Sequence, residues 1–278
     1  MPFRFVAPTT SAEVFRHARE EGAVLLAGGS DLLHDIDFGF ARPRVVVGLG
    51  RLPWRECAWN GELLTVGSTL PLSGLEDAPG LAERIPGLYT AVRAVGSRTL
   101  RHRATLGGNL GRSSPASDLT PVLLALEATV LLASSEGERT VPIDAFLRGP
   151  RTTELRPGEL IRSISVPARP SVFLWQRVRP AQDISQVGVA VARHPGGRWA
   201  IALSGFPPRP IRSGAAEARL AGPAPSPEAI AAAAELAVEE APFSTDRRAS
   251  DEYRRRVVRV LLARAVGSLL GAGGGSRA

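Results

Sequence analysis

Ala23-Val24-Leu25-Leu26-Ala27-Gly28-Gly29-Ser30-Asp31-Leu32 runs an apolar, strand-like segment straight into a glycine pair, and Thr105-Leu106-Gly107-Gly108-Asn109-Leu110-Gly111 supplies a second pair further on. Paired glycines let the backbone take positive φ and approach another group closely, while successive N–H groups in such a turn form an anion-binding nest. A pyrophosphate suits that geometry. Each pair taken alone also reads as a tight turn after a strand. Two pairs, each with a hydroxyl neighbour (Ser30, Thr105) and a polar follower (Asp31, Asn109), weaken the plain-turn reading and leave both open. Neither pair has the Gly-x-Gly-x-x-Gly spacing, so a Rossmann dinucleotide site is not supported.

At 278 residues the chain can bury a sizeable core in two or three compact units. Its 44% apolar and 22% charged residues are those of an ordinary soluble globular protein. No apolar run reaches the ~18 residues of a membrane span, and Met1-Pro2-Phe3-Arg4-Phe5-Val6-Ala7-Pro8 lacks the apolar stretch of a secretory signal. A cytoplasmic location is expected. The single cysteine, Cys57, excludes an internal disulfide and a Cys-ligated iron–sulfur cluster held by this chain alone. A net charge of +7 raises the possibility of a basic binding module for nucleic acid, but all 34 basic residues are arginine and only 5% of residues are aromatic, not interleaved with the arginine runs. The densest run, Arg254-Arg255-Arg256 with Arg259, reads as a solvated or partner-facing helix face. With no lysine, a Walker-type phosphate loop and a Schiff-base lysine are both ruled out.

Along the chain, Thr10-Ser11-Ala12-Glu13 predicts a capping box and a helix to about Glu21. Strands are predicted at Ala23–Ala27, Arg44–Gly48, Leu63–Gly67 (after an Asn60-Gly61 turn) and Thr129–Ala133, with helices at Leu88–Val95 and Asp118–Leu126. Prolines at 167, 170, 207, 208 and 210 change the texture near residue 170, where β-like runs Val187–Val191 and Trp199–Leu203 follow. Ser226-Pro227-Glu228 opens a helix that Pro242 stops, and Ser250-Asp251-Glu252 opens another with Tyr253, Val257, Leu261 and Ala265 on one apolar face. A flexible tail is expected at 271–278.

His17, His34, His102 and His194 are scattered, which speaks against a metal site, and nothing near Cys57 marks it as activated. Asp118 has two readings: an acceptor for sugar hydroxyls, or the cap of the helix it begins.

Taken together, Ala27-Gly28-Gly29-Ser30-Asp31-Leu32, Arg101-His102-Arg103-Ala104-Thr105-Leu106-Gly107-Gly108-Asn109-Leu110 and Ser114-Pro115-Ala116-Ser117-Asp118-Leu119 resemble the FAD-binding medium subunit of molybdenum hydroxylases of the carbon monoxide dehydrogenase and xanthine dehydrogenase type. Gly158-Glu159-Leu160-Ile161 before Val166-Pro167, and Asp251-Glu252-Tyr253-Arg254-Arg255, extend the resemblance over nearly the whole chain. It implies an α+β fold: a two-part α/β FAD-binding domain of the vanillyl-alcohol oxidase type over 1–168, with subdomains of about 1–52 and 53–168, then a smaller α+β domain over 171–270.

The resemblance also implies FAD as cofactor, with the two glycine loops clasping its pyrophosphate. Leu25, Leu26, Ala27, Gly28, Gly29, Ser30 and Asp31 line one side. Thr105, Gly108, Asn109 and Asp118 line the other, Asp118 on sugar hydroxyls, with Ile161 packing near the cofactor and Val95 and Gly96 approaching it. Where the family commonly has a lysine near the flavin, this chain has Arg177 in Trp175-Gln176-Arg177. The implied role is electron transfer within a hetero-oligomer. A large molybdenum-binding subunit oxidises the substrate, a small iron–sulfur subunit relays electrons to the FAD, and quinone, NAD or oxygen accepts them. The rival on the same fold is a self-contained flavoenzyme of the cell-wall precursor reductase kind, which needs a proton donor that the C-terminal part does not offer. Replacing Gly28 or Gly108 by a bulky residue is expected to abolish FAD retention with the fold mostly intact.

Overall fold

Thr10 opens the first helix, Ser11–Ala18, with a complete capping box: its hydroxyl accepts from the Glu13 N–H at 3.3 Å, and the Glu13 carboxylate accepts from the Thr10 N–H. The helix ends before Glu21, closed by the Arg19 N–H bonding the Arg16 carbonyl and the Glu20 N–H bonding the His17 carbonyl. The computed structural model describes residues 3–179, 182–222 and 224–272. The chain divides into two compact units: Met1–Ala78 with Ser97–Ser113 and Ala128–Val166, and Pro79–Gly96 with Ser114–Glu127 and the chain from Pro167 on.

In the first unit, β1 (Arg4–Val6), β2 (Ala23–Leu26) and β3 (Val45–Gly48) form a parallel sheet in the order β1-β3-β2, with Val24 opposite Val46 and Leu25 opposite Val47. The central strand is buried throughout, which is why Val45-Val46-Val47 reads as an unbroken apolar run rather than an alternation. Val14 and Phe15 of the first helix pack with Val45, Val47, Leu52 and Trp54 to form the core there. A second sheet takes the order β4-β5-β10-β6-β7 from β4 (Cys57–Asn60), β5 (Leu63–Gly67), β6 (Thr129–Ser134), β7 (Gly137–Pro142) and β10 (Leu160–Pro167). Asn60-Gly61 turns the β4–β5 hairpin as its sequence predicts. A two-stranded ribbon of β8 (Leu147–Gly149) and β9 (Thr152–Thr153) completes the unit. Cys57 is a free thiol, and burial raises its pKa, as suits an unreactive packed side chain.

The second unit is built on an antiparallel sheet of β11 (Ser171–Gln176), β12 (Val187–Arg193), β13 (Trp199–Ser204) and β14 (Ile211–Arg212) in sequential order. Val187, Val189 and Val191 pack against Val258, Leu262 and Val266 of the long helix Asp251–Ala272 and against Ala233 and Ala237 of helix Pro227–Glu240. Alternation along β11 gives Ser171 and Phe173 to the other face. There the Gly87 N–H of helix Pro86–Ala94 bonds Ser171 Oγ at 3.2 Å, and helix Leu119–Ala125 covers β12 and β13. Every residue of Leu119–Ala125 is buried, so this helix, early in the chain, groups with strands that follow residue 170.

Three expectations for the last helix change. Its buried face centres on Arg254, Val258, Leu261, Leu262 and Ala265, while Tyr253 is exposed. Arg254, read as part of a solvated run, is 1% exposed and donates to the Gly205 carbonyl at 2.6 Å and to Asp246 Oδ1 at 2.6 Å. The helix also continues through Ala272, so Gly271 belongs to it, and the rest of the expected tail, residues 273–278, lies outside the described residues.

Glu127 ties the end of the buried helix to the sheet, 2.7 Å from Arg198 Nη1 and 2.8 Å from Arg212 Nη1. The Arg198 hydrogen bonds, opposed by burial, hold its carboxyl down at about 2 from an ordinary 4.5. A carboxyl whose pKa is lower folded than unfolded adds stability above the unfolded pKa and loses it as pH falls toward the folded one. Glu127→Gln is therefore expected to lower stability at neutral pH, with the difference from the parent closing between about 4.5 and about 2 in a urea-midpoint series against pH.

Candidate functional site

In the first unit the structure brings the two glycine loops together. The first loop follows β2 directly, with Leu25 opposite Val47 and Leu26 opposite Gly48. A Cβ on Gly28 would lie 1.8 Å from the Arg103 carbonyl oxygen, so this residue is glycine because one loop rests on the backbone of the other. Gly29 has φ +81°, which side chains rarely adopt. Among the described residues the N–H groups of Gly28, Gly29 and Ser30 carry no hydrogen bond. Successive amides without partners are what an anion-binding nest requires.

Thr105 heads helix Leu106–Arg112, and its hydroxyl accepts from the Gly108 N–H at 2.9 Å. The Asn109 N–H bonds the Thr105 carbonyl at 3.0 Å. Thr105 is thus a helix cap whose own hydroxyl proton stays available. A Cβ on Gly108 would meet only Thr105 Oγ1 at 3.0 Å and the Ala27 Cβ at 3.5 Å, which sets Gly108 beside the end of the first loop. Gly107 packs against Ser68, whose buried hydroxyl has no hydrogen-bond partner. Sequence reading missed Ser68, a lone serine at the end of a strand with no motif around it. Asp31 is exposed, 3.8 Å from Arg112 Nε, and does not cap the helix that follows it. Ile161 is buried on β10, opposite Leu132, and its Cδ1 is 3.9 Å from where a Cβ on Gly111 would stand.

Val95, Gly96, Asp118 and Arg177 belong to the second unit. Val95 ends helix Pro86–Ala94, and Gly96 follows with φ +47°. Asp118 does not cap the helix it precedes; Ser117 Oγ accepts from the Thr120 N–H at 3.2 Å instead. The Asp118 carboxylate is engaged elsewhere: Oδ2 accepts from Arg177 Nη2 at 2.5 Å, and Oδ1 accepts from Ser185 Oγ at 2.6 Å. Arg177 also donates to the Ala94 carbonyl at 2.8 Å and stacks over Trp175, 5.2 Å from the ring centroid. Burial pushes the Asp118 carboxyl up, and the Ser185 and Arg177 contacts pull it back. Ser185, 67 residues from Asp118, carried no signal in the sequence.

The Gly28 contact corrects the expectation that any bulky residue at either loop spares the fold. Gly28→Ala is expected to cost about 1–3 kcal/mol of stability, because the new methyl group must displace the Arg103 backbone. Thermal melting of the cofactor-free chain checks this; an unchanged midpoint contradicts it. Among the described residues no group of three His, Cys, Asp or Glu side chains is placed to hold a metal ion, and no helix is long and apolar enough to cross a membrane.

Residues 1–169 match the family model described as the FAD binding domain in molybdopterin dehydrogenase, and residues 174–269 match the CO dehydrogenase flavoprotein C-terminal domain. The chain is 29% identical over 274 residues to the carbon monoxide dehydrogenase medium chain of Hydrogenophaga pseudoflava, covering 95% of this chain and 96% of that one. It is 30% identical over 253 residues to the nicotine 6-hydroxylase medium subunit of Paenarthrobacter nicotinovorans, covering 89% of each. A solved structure of carbon monoxide dehydrogenase from Hydrogenophaga pseudoflava contains a chain that superposes with a TM-score of 0.91, at 29% identity and 98% coverage of both chains. The α+β fold and the recognition from sequence hold. The chain belongs to the molybdopterin dehydrogenase family of FAD-binding proteins and is an FAD-dependent oxidoreductase subunit of the molybdenum hydroxylase type.

Proposed function

We propose that this chain is the FAD-carrying electron-transfer subunit of a cytoplasmic, hetero-oligomeric molybdenum hydroxylase. It takes electrons from a small iron–sulfur subunit and passes them to an external acceptor, while a large molybdenum subunit oxidises the substrate. The observation that carries this reading is the row of unpartnered amides at Gly28, Gly29 and Ser30, set against the Thr105–Gly108 turn within one compact unit. The residues fit the cofactor. Free N–H donors favour an anionic group, the side-chain-free face of Gly108 gives it room, and Ser68 offers a buried hydroxyl in need of a partner.

We assign the pyrophosphate to Gly28, Gly29, Ser30, Gly108 and Asn109, with Leu25, Leu26, Ala27, Asp31, Thr105 and Ile161 shaping the surroundings. Val95, Gly96 and Asp118 keep their expected roles toward the cofactor, with Arg177 as the holder of Asp118. When bound, FAD supplies the ability to take electrons one at a time and release two together. The protein's own task is to bind, orient and shield it. No residue of the chain is required to act as a catalytic acid or base.

Coexpression of the chain with its partner genes tests the proposal. The purified complex is expected to contain one FAD per chain, with molybdenum and iron in the other subunits, and prereduced iron–sulfur centres should bleach the flavin absorbance anaerobically. A chain that purifies alone and without flavin contradicts it.

A further inference from the structure

Helix Leu32–Asp37 continues directly from the first glycine loop, yet the one side chain it buries is Asp35, 5% exposed; Leu33 on the helix and Phe38 and Phe40 just beyond it are exposed. Surface helices are ordinarily held by an apolar stripe. Here Leu32 and Ile36 are only half-buried, and the fully buried contact is a charge. Asp35 Oδ2 accepts from Arg112 Nη1 at 2.5 Å and Oδ1 from Arg112 Nη2 at 3.3 Å, with Arg151 Nη2 a further 3.6 Å contact. The Arg112 hydrogen bonds, opposed by burial, hold the Asp35 carboxyl below the usual carboxylate range.

Arg112 is the last residue of helix Leu106–Arg112, whose first turn carries the second glycine pair, so the Asp35–Arg112 contact joins this helix to the one that follows the first loop. The second helix is firmly set: Leu106 and Leu110 are fully buried, and Ser113, which closes it, donates its hydroxyl to the Gly149 carbonyl at 2.8 Å. A two-pronged arginine–carboxylate contact fixes orientation as well as distance. We propose that Asp35 and Arg112 are positioning residues, a clamp that holds the first glycine loop in register with the second and so preorganises both for the cofactor. The proposal rests on the assignment of the loops to FAD.

The test uses the full chain, freed of flavin, as the parent and as Asp35→Asn, Arg112→Gln and the double variant. FAD affinity is read from quenching of flavin fluorescence, and the melting temperature of the cofactor-free chain is read in parallel. If losing the clamp leaves the loop competent about a tenth of the time, apparent affinity falls about tenfold. Each single variant is expected to show that loss and the double no more than either, with cofactor-free melting within about 4 °C of the parent. Arg112→Lys, keeping the charge but not the fork, is expected to fall between. Affinity within about twofold of the parent in both single variants overturns the proposal. So does a cofactor-free chain that unfolds or melts far lower on either substitution, which assigns the pair to the fold. A parent chain that binds no FAD removes the loop assignment itself, whereas equal binding by parent and variants removes only the clamp.

Discussion

Arg177→Ala is expected to destabilise the chain by about 3–5 kcal/mol at neutral pH, the usual cost of removing one member of a buried ion pair. The Arg177 side chain is 6% exposed and the Asp118 side chain 9%, so the carboxylate left behind has little water to turn to. Ser185 would remain as its only partner among those described, and the Ala94 carbonyl would lose its donor as well. The sign of the pH dependence follows. Without Arg177 the Asp118 pKa rises further above its unfolded value, and a carboxyl raised in the folded state favours folding once it is protonated. The deficit should be largest near neutrality and shrink on acidification. Arg177→Lys keeps the charge but cannot reach Asp118, Ser185 and Ala94 together, so a smaller loss is expected. Urea unfolding at two pH values measures all three. A loss below about 1 kcal/mol for the alanine variant would place the pair in the class of weak, solvent-screened bridges.

Gly108→Leu is expected to weaken FAD binding by about a hundredfold or more while leaving the cofactor-free melting temperature nearly unchanged. Unlike Gly28, whose Cβ would strike backbone, Gly108 would crowd only a side-chain atom, Thr105 Oγ1 at 3.0 Å, which must give by a few tenths of an ångström, with Ala27 at an ordinary 3.5 Å. The rest of the leucine side chain would then fill the space beside Ala27 from which a phosphate reaches the loops. One or two charge-assisted hydrogen bonds at about 1.5–3 kcal/mol each account for that factor. Comparing Gly108→Leu with Gly28→Ala separates the two reasons for which these loops contain glycine. The first keeps the fold and loses the cofactor, and the second loses stability outright. Equal effects on melting would erase the distinction.

Glycine made much of the site legible. A glycine pair marks backbone that other groups approach closely, so both pairs, their order and their Thr105 and Asn109 companions stand out from sequence, although the second pair is the first turn of helix Leu106–Arg112 and not a turn after a strand. Local side-chain to backbone contacts were equally readable: the Thr10 capping box and the Asn60-Gly61 hairpin each depend on residues within a few positions. What was hidden depends on distant partners. Asp118 looks like a cap because its neighbours are helical, but the groups that claim it, Arg177 and Ser185, lie 59 and 67 residues away. The Asp35–Arg112 clamp spans 77 residues and involves two helices too short for any periodic pattern. Arg254 looks solvated inside Arg254-Arg255-Arg256, yet the helix rotates it onto Gly205 and Asp246. Periodicity locates a helix face to within about a residue, and here that residue decides whether an arginine is surface or core.

Whether the two glycine loops hold the cofactor by its pyrophosphate is read from a parallel titration of the cofactor-free chain with FAD and with riboflavin, which has the same ring and no phosphate. FAD is predicted to bind at least about a hundredfold more tightly. Equal affinity for the two would contradict it.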